Sequence, residues 1–428
     1  MSLPVLVAVP GPDEARLVVG WEPLRRELVV VRRCADLPEV LAAARAGLGR
    51  AVVLGADLPG ADAEAVDALR RQEVGLLVLL PTGPGATALE HRWRAMGAHR
   101  FASAADDPAA VARALAVVAE ATVGPGRAHG GTAAAPGPAD PATDDGDGEQ
   151  EPLEVGAGRT VAVWGPHGSA GRSTVAVNLA AELAGTGAPT VLVDLDTRGA
   201  CVAQLLGLLD EAPGLLAAVR AATEGRLDAH ALHRHTSLVL PDLAVLTGSP
   251  DPRRWSEVRP VGLRRVLEVA AGSAEWVVLD LPGGLEEEDG ADRDAATAVA
   301  LESADVVLVV GAADPVGLQR WIRTWQRLGE VAPGAPAVAV LTRVRASAAG
   351  SPAPRRVAAA VHRFAGVDDA VLLPEDAAAD DAALAGRTLG EVAARSPLRR
   401  AVAGLAQRLE DSVAVPVLSE VPADLAAI

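Results

Sequence analysis

The chain contains no lysine and no tyrosine in 428 residues, one asparagine (Asn178), two phenylalanines and two cysteines. All 39 long cations are therefore arginines, so arginine at a position suited to lysine can reflect general usage. The exchange still changes the chemistry, because a planar guanidinium cannot act as a compact point charge. Cys34 and Cys201 lie far apart without metal-ligand spacing, which excludes a disulfide framework and fits two free thiols in a reducing compartment. No uncharged apolar run approaches the roughly 20 residues of a membrane span, and no charged and apolar leader opens the chain. A cytoplasmic location is expected. Positive charge is also scarce: 56 acids give a formal charge of −17, which argues against a broad basic face for nucleic acid or anionic lipid. What is present is apolar material, half of all residues, in a length that suggests two or three domains.

Residues 1–121 alternate short apolar runs with helical patterns. Leu3–Val9, Leu28–Val31, Ala51–Leu54, Val74–Leu80 and Arg100–Ser103 read as strands, with helices near 12–24, 36–47, 62–72, 86–97 and 107–121. Five strands alternating with helices predict a flavodoxin-like α/β domain with a parallel sheet. From 122 to 157 the chain turns to Gly, Pro, Ala and acids, with almost nothing to enter a core, and predicts a disordered linker. Residues 158–411 predict a second α/β domain. Its strands are Thr160–Trp164, Thr190–Asp194, Leu243–Thr247, Trp276–Leu281, Val306–Val310, Ala337–Leu341 and Ala370–Leu373, a mainly parallel seven-stranded sheet covered on both faces. A flexible tail, 412–428, ends the chain.

The second domain opens with VAVWGPHGSAGRSTVAVNLAA, an apolar strand running into a glycine-rich loop and then a helix. Gly165, Gly171, Arg172 and Ser173 fill the phosphate-binding loop pattern, with arginine where lysine belongs. Backbone N–H groups from Gly165 through His167, Gly168, Ser169, Ala170 and Gly171 to Thr174 are expected to wrap phosphates, aided by the positive end of the helix. Ser173 would offer its hydroxyl to Mg²⁺, and Arg172 would face the β- and γ-phosphates. The second strand ends in Asp194-Leu-Asp196, and the fourth in Asp280-Leu-Pro-Gly-Gly.

This set resembles the MinD/ParA superfamily of deviant Walker ATPases, over nearly all of residues 159–410. The resemblance implies ATP/ADP and Mg²⁺ as cofactors. It implies Asp194 and Asp196 beside the γ-phosphate, with Asp196 orienting the attacking water, and Asp280 bound to Mg²⁺ through water, with Asp194 and Ser173 also at the metal. It adds Asn178 to the loop's helix and has Gly284 sense the γ-phosphate through its N–H. Thr342, Arg343, Pro374 and Glu375 fall where the superfamily cups the adenine. Two departures stand out. The lysine that the superfamily extends across a dimer is His167 here, and the loop lysine is Arg172. Losing a cation that neutralises developing charge removes much of phosphoryl-transfer catalysis, so nucleotide is expected to bind with slow or absent hydrolysis.

Residues 1–121 resemble a response-regulator receiver domain, but Gly55 stands at the phospho-acceptor position and Pro10-Gly11-Pro12 replaces the acidic metal pair. Asp57, and Asp13 with Glu14, read as solvated carboxylates, leaving a docking module without phosphorylation chemistry. On Pro315 to Glu330, Leu318, Trp321, Ile322, Trp325 and Leu328 form an apolar stripe expected to face the core, and Arg320, Arg323 and Arg327 a solvated one. These arginines, with Arg343, Arg345, Arg355 and Arg356, are the one basic face that would serve nucleic acid, against the net charge. The acidic, proline-containing end of the chain is not expected to form a basic membrane anchor. Receiver-like module, linker and deviant ATPase domain together resemble CpaE/TadZ-type pilus assembly proteins and actinobacterial septum-site determining relatives. That implies a nucleotide-dependent homodimer recruiting a pilus, secretion or division machine. The competing readings are an active ParA/MinD-type ATPase for chromosome partitioning or septum positioning, and a scaffold that has lost nucleotide.

Overall fold

The computed structural model describes residues 2–121, 158–168, 171–208, 212–285, 291–332 and 334–413. The expected linker 122–157, loop residues Ser169 and Ala170, and nearly all of the expected tail lie outside them. The chain divides into two compact units, Met1–Glu154 and Val155–Ile428.

In the first unit, β1 (Leu3–Ala8), β2 (Leu28–Arg33), β3 (Ala51–Gly55), β4 (Gly75–Leu80) and β5 (Phe101–Ser103) form a parallel sheet in the order β2-β1-β3-β4-β5. The order reverses between β1 and β3, whose carboxyl ends carry Pro10 and Gly55. Helices Leu37–Arg45 and Ala63–Arg71 begin where Asp36 and Asp62 accept backbone N–H bonds from Glu39 and Ala65, both at 2.9 Å. Val5, Val7, Leu17, Trp21, Leu77 and Leu115 belong to one apolar cluster. A Cβ on Gly55 would stand 2.6 Å from Pro10 Cδ, so the end of β3 has no room for a side chain. Glu14 is held by Arg33, and Asp13 meets Arg16 at 3.4 Å.

The second unit holds β6 (Arg159–Trp164), β7 (Thr190–Asp194), β8 (Ser237–Leu240), β9 (Leu243–Leu246), β10 (Trp276–Asp280), β11 (Val306–Ala312), β12 (Ala337–Val344) and β13 (Val371–Pro374). They run β13-β12-β11-β6-β10-β7-β9-β8, parallel except for β8, which pairs antiparallel with β9. The sheet is therefore eight-stranded rather than seven-stranded. The additional edge strand is four residues long, with Leu238 65% exposed, so it gives no buried apolar run to read in the sequence. Alternation along the inner strands feeds two cores. Trp164, Val193 and Leu341 face one, and Val163, Leu192 and Val340 face the other, with Leu179, Leu183 and Leu405 from covering helices. Trp321 is fully buried in the first core, donates to Val309 O at 2.8 Å and stacks on Trp325, so the apolar stripe faces inward. No helix among the described residues is long and apolar enough to cross a membrane.

Candidate functional site

Three neighbouring strands, β6, β10 and β7, end together, and the chemistry sits on their carboxyl ends. Gly165 follows β6 where a Cβ would be 2.1 Å from Val310 O, so only glycine lets the chain turn there. Gly168 (φ +106°) and Gly171 (φ +76°) take the left-handed backbone needed to curl the loop back into the helix Arg172–Ala184. The first-turn N–H groups of that helix have no preceding turn to bond and are free to meet an anion.

Parallel register sets Asp280 beside Asp194 on β7 and beside Val163 on β6. Both carboxylates are buried, Asp194 at 1% exposure and Asp280 at 0%. Asp194 accepts from Val202 N at 3.0 Å and Asp196 N at 3.2 Å. Burial nevertheless pushes its pKa from 3.8 up to about 7, with the Asp196 charge adding to the rise. Gly248 leaves space for it, since a Cβ there would lie 2.8 Å from the Asp194 carboxyl carbon. Asp280 is the more exceptional group, as neither of its oxygens has a hydrogen-bond partner. Its pKa is raised well above the ordinary value, first by burial and then by the Asp194 charge. Ser173 and Arg172 oppose that rise, Ser173 being close to Asp280 without meeting it in good hydrogen-bonding geometry. Asp196 is half-buried, and its Oδ1 accepts from Arg198 N and Gly199 N, each at 2.9 Å, which fixes the turn after β7.

Among the described residues no group of three or more His, Cys, Asp or Glu side chains comes together as a metal cage. Two buried carboxylates and a hydroxyl instead suit Mg²⁺, which takes one or two carboxylates and completes its shell with water and phosphate oxygens. A buried anion with no partner is costly. A divalent cation at Asp280 would remove that cost.

Several expected roles change on contact with the geometry. Arg172 does not face open space over the loop: Nε donates to Leu281 O (3.1 Å), and Nη1 to Pro166 O (2.8 Å) and Gly168 O (3.2 Å). A guanidinium, with its five donors in a plane, can staple three carbonyls where an ammonium would reach fewer. The Gly284 N–H is likewise engaged, donating to Gly165 O at 2.8 Å, so it is not free for a γ-phosphate. Asn178 is structural, being buried, donating to Thr174 O at 2.8 Å and accepting from Leu389 N at 2.7 Å. Both ends of its amide are engaged, one by the first helical turn and one by Leu389.

His167 is exposed and packs on Gly284, where a Cβ would lie 2.2 Å from His167 Nε2. Ser169 and Ala170 lie outside the described residues. On the opposite flank, Thr342 is buried 3.9 Å from the Cβ direction of Gly171, and Arg343 takes φ +53° at a register shift between β12 and β13. Glu375 accepts from Arg345 at 2.9 Å beside Pro374. Cys201 is the residue the sequence did not single out. Burial lifts its thiol to about 11, with the charges of Asp280, Asp194 and Asp196 adding to the rise and Ser173 opposing it, which locates the thiol among the acids.

Residues 156–224 match a family profile, ParA, described as NUBPL iron-transfer P-loop NTPase. No curated protein matches the chain in sequence. Among solved structures, a ParA family ATPase from Chlorobium tepidum is 18% identical, with 59% of this chain covering 99% of that one at a TM-score of 0.52. The Pyrococcus furiosus cell division ATPase MinD is 20% identical, 59% against 99%, TM-score 0.48. The septum site-determining protein MinD of Pyrococcus horikoshii, solved with Mg-ADP, is 19% identical, 60% against 99%, TM-score 0.49. The loop after β6, the parallel sheet and the likeness to the Chlorobium tepidum structure give the second unit a fold like that of a ParA family ATPase.

Proposed function

We propose that the chain is a nucleotide-binding spatial organiser. In this reading the second unit binds ATP or ADP with Mg²⁺, hydrolyses it slowly or not at all, dimerises with nucleotide, and recruits or positions a pilus or secretion apparatus. The observation that carries it is the unpartnered Asp280 carboxylate, buried beside Asp194 and the Ser173 hydroxyl at the foot of the loop. Ser173 and Asp280 would hold the cation, and first-turn amides the phosphates. The cation supplies Lewis acidity when bound. The chain's own residues seat the phosphates and exclude water from the buried acids. Slow hydrolysis follows from Arg172, whose Nε and Nη1 are committed to backbone carbonyls rather than to developing charge. Asp196 orients water in whatever turnover remains.

The first unit serves as a receiver-like docking module, for which the closed end of β3 leaves no acceptor side chain. The pilus or secretion assignment rests on the resemblance of this combination of modules to CpaE/TadZ-type proteins. A cytoplasmic location, with pole, septum or membrane reached through protein partners, belongs to the same reading.

Titration of the full chain with a fluorescent ATP analogue, with and without Mg²⁺, tests the proposal. Saturable binding that strengthens with Mg²⁺ and weakens in Asp280→Asn is expected. No binding at about millimolar nucleotide would leave the second reading, a scaffold without nucleotide. One observation favours that alternative: Arg172 and the Gly284 N–H both bond to carbonyls of the loop itself.

A further inference from the structure

Arg172 spends Nε and Nη1 on backbone carbonyls, and a second guanidinium reaches the loop from outside. The helix Pro315–Gln326 is held firmly. Asp314 caps it by accepting from Val316 N (3.1 Å) and Gly317 N (3.0 Å). Trp321 pins its middle against Gly311, where a Cβ would be 2.5 Å from the indole Cδ1. With the helix fixed there, Arg320 extends to the loop. Its Nη1 lies 3.4 Å from His167 O and 3.0 Å from the Cβ direction of Gly168. Arg320, Arg323 and Arg327 line one side of a cleft of about 350 Å³, whose other side is Pro166 and His167 of the loop and Gly284.

At the end of the helix, Arg327 reaches Glu330 at 3.6 Å. Among the described residues, Arg320 and Arg323 have no acidic partner within 4.0 Å. Like charges three apart on a helix repel one another. A planar fork of donors is complementary to phosphate oxygens.

We infer that Arg320, seconded by Arg323, supplies the positive charge that Arg172 withholds, and holds the phosphate chain of a nucleotide seated in the loop. This rests on the nucleotide reading above and assigns it two binding residues on a helix distant in sequence. Loop amides give the phosphates direction, and the two guanidinium groups give net charge.

The test is a titration of the full chain with the same fluorescent ATP analogue and Mg²⁺. Wild type is compared with Arg320→Gln, Arg323→Gln, the double variant, and Arg234→Gln, which removes one exposed charge from the helix Ala229–His235. All three positions are exposed, so far-UV circular dichroism is expected to stay unchanged in all four variants. Arg320→Gln is expected to weaken binding about tenfold or more, the scale of a lost hydrogen bond to a charged group. The double variant should weaken it further, and Arg234→Gln should match wild type. The losses should shrink at about 0.5 M salt, where charges are screened. Binding by Arg320→Gln and the double variant within about twofold of wild type would overturn the inference, as would an equal loss in Arg234→Gln. A wild type that binds no nucleotide would instead remove the nucleotide reading, and the inference with it.

Discussion

Asp280→Asn should make the nucleotide-free protein more stable while removing the group proposed to hold its cation. The wild-type fold keeps two carboxylates side by side in its interior, and the cost of ionising them has a definite pH dependence. Asp194 rises from 3.8 to about 7 in the folded chain, about 3 pK steps, or about 4 kcal/mol at about 1.4 kcal/mol each. Because the folded pKa lies above the unfolded one, the folded state binds the proton more tightly. Stability is therefore highest below about pH 4 as far as this pair is concerned, falls as pH climbs toward 7, and stays low above it. Asp280 shifts in the same direction, and the two titrate as a pair. Removing the Asp280 charge removes its own burial cost and the repulsion that Asp194 exerts on it. A neutral amide at 280 should thus raise stability at pH 8 by about 2–4 kcal/mol, with the gain fading to near zero at about pH 4. For a unit of this size that is about 5–10 °C in the melting temperature. Calorimetry of the full chain across pH, with chelator present, reads the effect on the second unit's transition. An Asp280→Asn protein that melts below wild type at pH 8, or by the same offset at every pH, would refute the reasoning. With about 10 mM Mg²⁺ the wild type should recover stability that the variant does not, since a ligand favours the state that binds it.

Asn178→Ala should cost about 1–3 kcal/mol, because the buried Leu389 N–H loses its acceptor, while the binding constant for nucleotide stays near wild type. A lost binding constant with unchanged stability would return Asn178 to the ligand. Gly165→Ala should lose most soluble folded protein, its Cβ having Val310 O at 2.1 Å, and a normal melt would contradict the close strand approach. Cys201, with its thiol at about 11, should be alkylated by iodoacetamide at pH 8 far more slowly than an exposed thiol of pKa about 8.5. Mass spectrometry of the Cys201 peptide measures it, and rapid labelling would contradict its burial among the acids.

What the sequence made legible follows from burial. Strands such as Trp276–Asp280, buried at every position, read as unbroken apolar runs, and an aspartate closing such a run marks a strand end. The edge strand Ser237–Leu240 lacks that signal because pairing with β9, rather than a two-sided core, defines it. In the site, glycine spacing disclosed the loop, since Gly165 answers to a local steric demand. Where a long side chain ends is a different matter. Arg172 has carbonyls within reach on two elements, and Asn178 finds its partner 211 residues away. No local pattern encodes either choice. Arg320 reads in the sequence as part of a solvated arginine face for the same reason, since its contact with His167 O joins elements 153 residues apart.

The Asn178 tie is one of three fastenings between the helix after the loop and the end of the fold. Glu182 holds Arg399 through two bonds of 2.8 and 2.9 Å, and Thr186 donates to Glu410 at 3.1 Å. The helix after the loop and the turn that follows it are therefore tied to Leu389 and to the helix Pro397–Val413, although more than 200 residues separate Asn178 from Leu389 along the chain. Truncation before Leu389, or a carboxyl-terminal fusion that strains these ties, would unseat the loop with every residue of the loop itself intact.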